Sequence, residues 1–206
     1  MRGVLMTFEG VEGSGKTTQL GRLARALAAE GYRVERTSEP DGTALGLGVR
    51  RLFERRDVRF QPLTEMFLFL AARQQHVAEK IQPWLRAGRV VLSDRYTDAT
   101  VAYQGYGRGV DPATIRELNV LATGGVLPDL TLLFDLDPAV GFRRIGRRRL
   151  DHFERQAQAF HRRVRRGYLT IQRAEPKRVR LVEAGRPAAD VAAEVRVLVG
   201  EYLRGQ

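Results

Sequence analysis

The 206-residue sequence contains no cysteine. That excludes a disulfide framework, a thiolate zinc site, an iron–sulfur cluster and a cysteine nucleophile. Lysine is nearly missing as well: of 35 basic residues only Lys16, Lys80 and Lys177 are lysines, so the basic character is almost all arginine. No apolar run approaches the ~18–20 residues needed to cross a bilayer, so no membrane-spanning segment is expected. The apolar start, Val4 to Phe8, is too short for a signal peptide and is cut off by Glu9, so the expected location is the cytoplasm.

The composition that remains is that of an ordinary globular protein, 43% apolar and 29% charged. At about 100–200 residues per domain the chain reads as one domain, 1–206, able to bury a core without covalent staples. The net charge of +11 points to anionic partners: nucleic acid, a membrane surface or phosphorylated small molecules. Charge alone does not choose among them, and many of the arginines read as solvated surface.

Short runs of strand formers alternate with amphipathic segments along the chain. Strands are expected at 3–8, 32–37, 89–93, 130–135 and 178–182. Helical spacing follows Lys16 and recurs at 45–54, 62–87 (weakened near Pro83), after Asp111-Pro112, after Asp137-Pro138 and at 188–203. The order β-α-β-α-α-β-α-α-β-α-α-β-α implies an α/β fold, a five-stranded parallel sheet with helices on both faces.

Between the first strand and first helix lies Gly10-Val11-Glu12-Gly13-Ser14-Gly15-Lys16-Thr17-Thr18, which fits the P-loop pattern. Its glycines let several backbone N–H groups face one phosphate. Lys16 reaches the β and γ phosphates of a nucleotide such as ATP, and the Thr17 hydroxyl is placed to ligate Mg²⁺. No lysine follows an asparagine, so the Asn-Lys-x-Asp clamp of a GTPase is missing, and the chain is short for a helicase. A small kinase remains, and the acceptor has to be read elsewhere.

Phe69 and Arg73 lie four apart on the long helix and share one face, about 6 Å apart at Cβ. Periodicity by itself makes Phe69 core and Arg73 surface; as a pair they present a ring for stacking and donors for a base carbonyl. Asp94-Arg95 follows the third strand, at the carboxyl edge where ligands of open α/β sheets bind. An arginine there grips phosphate bidentately, while the aspartate faces a metal or orients the arginine.

Together, FEGVEGSGKTT (8–18), EPDGT (39–43), FLAAR (69–73), DRY (94–96), AYQG (102–105), PDLT (128–131) and LDHFE (150–154) resemble the bacterial thymidylate kinases. Single motifs are weak, but their order and spacing from about residue 3 to 175 are specific. The resemblance implies a P-loop kinase three-layer sandwich that moves the γ-phosphoryl group of ATP to dTMP with Mg²⁺. It implies a homodimer with no nucleic-acid or membrane partner and with a mobile arginine-rich lid at about 143–155. The long helix with Trp84 is a candidate interface.

Residue by residue, the resemblance gives Arg95 and Arg50 the acceptor phosphate, and Phe69 and Arg73 the thymine. Tyr103 and Gln104 contact sugar and base, Thr100 lies near the base, Glu39 is among the substrate contacts, and Tyr168 lines the nucleoside pocket. Glu9 belongs near the 3′-hydroxyl and Mg²⁺, and Thr17 with Asp94 near the metal. The P-loop interior carries no arginine, so the lid supplies the charge-neutralising one. Arg143, Arg147, Arg148 and Arg149 are all open for that role. The chain departs from the family's usual residues at Ser38, Asp41, Ala99, His152 and Phe153. Two rival readings are a kinase for another acceptor, with Glu9 as base for a hydroxyl, and a nucleic-acid-binding ATPase suggested by the charge.

Overall fold

The computed structural model describes residues 3–146, 152–153 and 156–205. Five strands form one parallel sheet, β1 (Val4–Glu9), β2 (Val34–Ser38), β3 (Val90–Asp94), β4 (Leu130–Asp135) and β5 (Val179–Glu183), in the order β2-β3-β1-β4-β5. The first strand thus lies in the middle, and its carboxyl end opens between β3 and β4, at the reversal of strand order where such sheets bind ligands.

Alternation along β1 builds both faces. Met6 and Phe8 pack with Leu20, Leu23 and Leu27 of α1 (Lys16–Ala29) and with Val191, Val195 and Val199 of α9 (Ala188–Arg204). Leu5, Thr7 and Glu9 point to the opposite face. There Leu5 joins Val77, Ile81 and Leu85, while α8 (Gln158–Ala174) contributes Phe160, Val164, Tyr168 and Ile171 to a second cluster with Met66, Tyr103 and Leu133. Each such side chain contributes about 1.5–3 kcal/mol when fully buried, so one apolar layer on each side accounts for the sandwich.

The expected element order is observed, with strand edges shifted by one or two residues. The long amphipathic segment stays helical over 62–86, as α3 (Pro62–His76), a π-helical run (Val77–Ile81) and α4 (Gln82–Arg86). Pro83 does not end it, and the weakening expected there is met by a π-helical turn immediately before the proline. Past β3 the chain enters α5 (Thr97–Thr100) and a π-helical run (Val101–Gly107), then α6 (Pro112–Thr123), whose start is capped by Asp111 accepting from Thr114 N at 2.9 Å. The remaining helices are α2 (Ala44–Glu54) and α7 (Pro138–Ile145). Among the described residues no helix is long and apolar enough to cross a membrane.

Candidate active site

The loop after β1 owes its shape to glycine. Gly10 has φ 138°, and a Cβ there would lie 2.4 Å from the Phe134 carbonyl; at Gly13, φ 70°, a Cβ would lie 2.2 Å from the Gly141 carbonyl. Any side chain would push the loop off β4 and α7. Lys16 opens α1 and folds back, its Nζ donating to the carbonyls of Gly10 (3.0 Å) and Val11 (2.9 Å). Burial, then the nearby Arg95, lower its pKa to about 8. Thr17 and Thr18 are exposed at the mouth.

On one side of this loop lies a pocket lined by Glu12, Glu39, Arg50, Phe53, Phe69, Arg73, Arg95, Thr100, Tyr103, Gln104, His152 and Phe153. It therefore gathers most of the residues expected to meet the acceptor. Arg95 stands at the junction of loop and pocket. Its backbone has φ 73°, a left-handed conformation unusual for a side-chain-bearing residue, fixed by Arg95 N donating to the Phe8 carbonyl at 3.0 Å and Ser93 Oγ donating to its own carbonyl at 2.7 Å. Its guanidinium donates to Gly10 O (3.2 Å), Tyr168 OH (3.2 Å), Tyr103 OH (3.1 Å) and Glu12 Oε1 (3.2 Å), and lies 4.8 Å over the Tyr103 ring.

Glu12 is the unexpected member. Its carboxylate takes the Tyr103 hydroxyl and the Arg95 guanidinium, with His161 Nδ1 3.4 Å from Oε2. Burial works against its charge, but His161, Arg95 and Lys16 override it and hold the pKa at about 2. A permanent carboxylate thus sits on the two groups best suited to a phosphate.

Glu9 is fully buried below them, accepting from Tyr96 N (2.7 Å) and Tyr168 OH (2.8 Å). Burial, then the neighbouring Asp98, push its pKa up to about 8. The unfolded chain releases this proton near pH 4.5 and the folded chain near pH 8, so stability falls across that window and levels off above it. Glu9→Gln lacks this loss. In ligand-free urea melts the variant should gain on the wild type between pH 5 and pH 8, and parallel pH courses would contradict the assignment.

Three expected roles meet competition. Arg73, expected to donate to a base, is buried and internally committed. Nε donates to Glu39 Oε2 (2.8 Å), NH1 to Thr100 Oγ1 (2.8 Å) and Asn119 Oδ1 (2.7 Å), and NH2 to the Tyr96 carbonyl (2.9 Å), with NH2 also 2.7 Å from Glu39 Oε2. Arg50 lines the pocket but is ion-paired with Asp41. The Gln104 amide, 2% exposed, donates to Glu65 Oε1 at 2.9 Å. Phe69 is half-buried and stacks on Phe53, centroids 4.8 Å apart.

Thr17 Oγ1 donates to Asp94 Oδ2 at 2.5 Å, so hydroxyl and carboxylate meet at the exposed edge of the loop. Hard oxygen donors with a single carboxylate suit Mg²⁺, which fills its other positions with water and phosphate oxygens. Among the described residues no cluster of three or more His, Cys, Asp or Glu offers an all-protein cage.

A second cleft lies on the far side of the loop, lined by Gly13, Gly15, Thr18, Arg144 and 184–188. Arg144 NH1 donates to the Ala184 carbonyl at 2.9 Å. Sequence reasoning missed this cleft because Arg144 is one of a run of similar arginines and 184–188 is an unremarkable turn. Of the lid arginines, Arg143 is exposed at the end of α7, while Arg147, Arg148 and Arg149 lie outside the described residues.

A family model described as thymidylate kinase matches residues 8–195. The chain is 48% identical to the thymidylate kinase of Solidesulfovibrio magneticus, over 97% of this chain and all of that one, and 45% identical to that of Deinococcus radiodurans, over 97% and 98%. The crystal structure of the thymidylate kinase from Ehrlichia chaffeensis superposes with a TM-score of 0.80 at 34% identity, covering 97% of this chain and 99% of that one.

Proposed function

The chain belongs to the thymidylate kinase family and moves the γ-phosphoryl group of ATP to dTMP, giving dTDP and ADP; we propose that the two clefts flanking its P-loop are the acceptor and donor sites. The observation that carries this assignment is Arg95, whose guanidinium bonds both a P-loop carbonyl and the Tyr103 hydroxyl of the acceptor pocket.

The donor phosphates lie in the P-loop, met by its amides and by Lys16 Nζ. The Arg144 guanidinium and loop 184–188 take the donor base. Thr17 and Asp94 would hold Mg²⁺, which would supply charge neutralisation at the donor phosphates. The acceptor phosphate displaces the Glu12 carboxylate from Arg95 and the Tyr103 hydroxyl, with Arg50 as the second cation. The attacking atom is already an anionic phosphate oxygen, so no strong general base is needed and catalysis is positioning plus charge neutralisation. Arg143, Arg147, Arg148 and Arg149 remain candidates for neutralising the transferring group. Phe69 faces the base; Glu9 and Tyr168, expected to meet the sugar, are buried and are not among the lining residues of the pocket, and they act behind it, the Tyr168 hydroxyl joining Glu9 to Arg95. Thr100 Oγ1 is the pocket-lining acceptor of Arg73, so a base O4 recruits Arg73 by trading places with it.

Coupled ADP release against a panel of acceptors tests this reading. dUMP is expected about 10–200-fold below dTMP in kcat/KM, the worth of one methyl. dCMP should fall lower still, because its amino group faces donors, and thymidine should give no turnover. dCMP on a par with dUMP would remove the base-pocket assignment and leave the kinase. A hydroxyl acceptor fits poorly with Arg50 and Arg95 in the pocket, and no observation favours the nucleic-acid-binding reading.

We also propose a cytoplasmic homodimer. Trp84 is half-buried beneath Lys80, whereas Leu63 and Phe67 of α3 are 51% and 54% exposed and Val120 and Leu121 of the adjoining α6 are 49% and 78% exposed. This apolar face, not Trp84, is the interface to expect, and a sedimentation mass of one subunit would exclude it.

A further inference from the structure

The acceptor pocket has an aromatic wall to which no role has been given. Phe153 lies 5.5 Å from the Tyr103 ring, edge to face, and 5.7 Å and 5.9 Å from the rings of Phe69 and Phe53. Its neighbour His152 ties this segment to the body of the protein: Nε2 is 2.9 Å from Glu65 Oε2, and the ring stacks on Phe53 with centroids 5.6 Å apart. Glu65 is buried on α3 and is itself fixed by Gln104 and by Arg108 at 2.9 Å. His152 and Phe153 line the acceptor pocket, and neither lines the cleft beside Arg144.

We propose that Phe153 is a specificity wall of the acceptor site, set beside Phe69 so that the two rings meet one base at adjoining surfaces, and that His152 is the positioning residue that holds it there through Glu65. The inference rests on the acceptor assignment above. An aromatic ring set edge-on to Tyr103 and close to Phe69 offers a flat apolar surface to a pyrimidine, and such contacts are each worth about a factor of ten or less in binding. Because the wall is anchored to α3 and not to the P-loop, it acts on dTMP without ATP.

The test is calorimetric titration of dTMP into the full-length protein without ATP, alongside KM for dTMP and for ATP in steady state. Phe153→Ala should weaken binary dTMP binding by threefold or more, up to about tenfold, with the ATP KM within about twofold of wild type. Phe153→Leu, which keeps apolar bulk, should lie between the two, and a titration stoichiometry equal to that of the wild type separates weaker binding from a folding defect. His152→Ala should weaken dTMP binding in the same assay by threefold or more and likewise spare ATP. A change below threefold in Phe153→Ala, or an equal rise in both KM values, overturns the inference. Failure of the wild type to turn over dTMP would instead overturn the acceptor assignment, so the two failures are distinguishable.

Discussion

Replacing Lys16 with alanine is expected to lower dTMP turnover by at least about 10³-fold while the fold survives. The Lys16 ammonium is held inside the curl of the P-loop by the Gly10 and Val11 carbonyls, where donor phosphates would lie. Burial and Arg95 depress its pKa to about 8 in the ligand-free protein, so its charge is held at some cost and is ready for a polyanion. Phosphate oxygens reverse that cost, and the gain is largest where the transferring group accumulates charge away from water. Alanine removes this and leaves α1 attached through Leu20, Leu23 and Leu27. Coupled ADP release and a thermal melt of the same preparation check both halves. Turnover within about tenfold of wild type would remove Lys16 from the machinery, and a collapse of the melt would show that it is structural instead.

The P-loop was legible because its chemistry demands particular residues at fixed spacing, and the layer order because strand and helix periods alternate along the chain. The strand order β2-β3-β1-β4-β5 was not, since no local pattern tells Val4 that its partners are Val90 on one side and, from Met6 onward, Leu130 on the other. The same limit applied inside the site. Sequence placed Phe69, Arg73, Arg95, Tyr103 and Tyr168 on elements that do converge, but it could not say what else competes for their donors. Glu12 reads from sequence only as a member of the P-loop, yet it occupies Arg95 and Tyr103. Asp41, seen only as a departure, turns out to hold Arg50. The Glu12 pairings join residues 83 and 91 positions apart and the Asp41 pairing residues nine apart, and periodicity carries no trace of either.

Arg73 illustrates the difference and carries the largest stability effect. Arg73→Ala should destabilise the ligand-free protein by about 3–5 kcal/mol, because it leaves the buried Glu39 carboxylate without its main counter-charge. At this chain length that corresponds to a fall of roughly 6–20 °C in Tm. The remaining partner is His76, whose Nδ1 lies 3.2 Å from Oε1. Burial alone would raise the Glu39 pKa; the Arg73 charge and then His76 pull it below the ordinary value. With Arg73 present, this carboxylate contributes stability above its unfolded pKa of about 4.5 and loses it as the pH falls through the lower folded value. Without Arg73 burial dominates, the folded pKa moves above the unfolded one, and stability is lost as pH rises. The deficit of Arg73→Ala should therefore be larger at pH 7 than at pH 4. Adding Glu39→Gln, which removes the stranded charge, should recover at least about half of it. Urea melts of the two single variants and the double variant at both pH values measure all of this. A deficit below about 1 kcal/mol, or no recovery in the double variant, would mean that the pair does not hold the pocket floor and that Arg73 is free to serve the base alone.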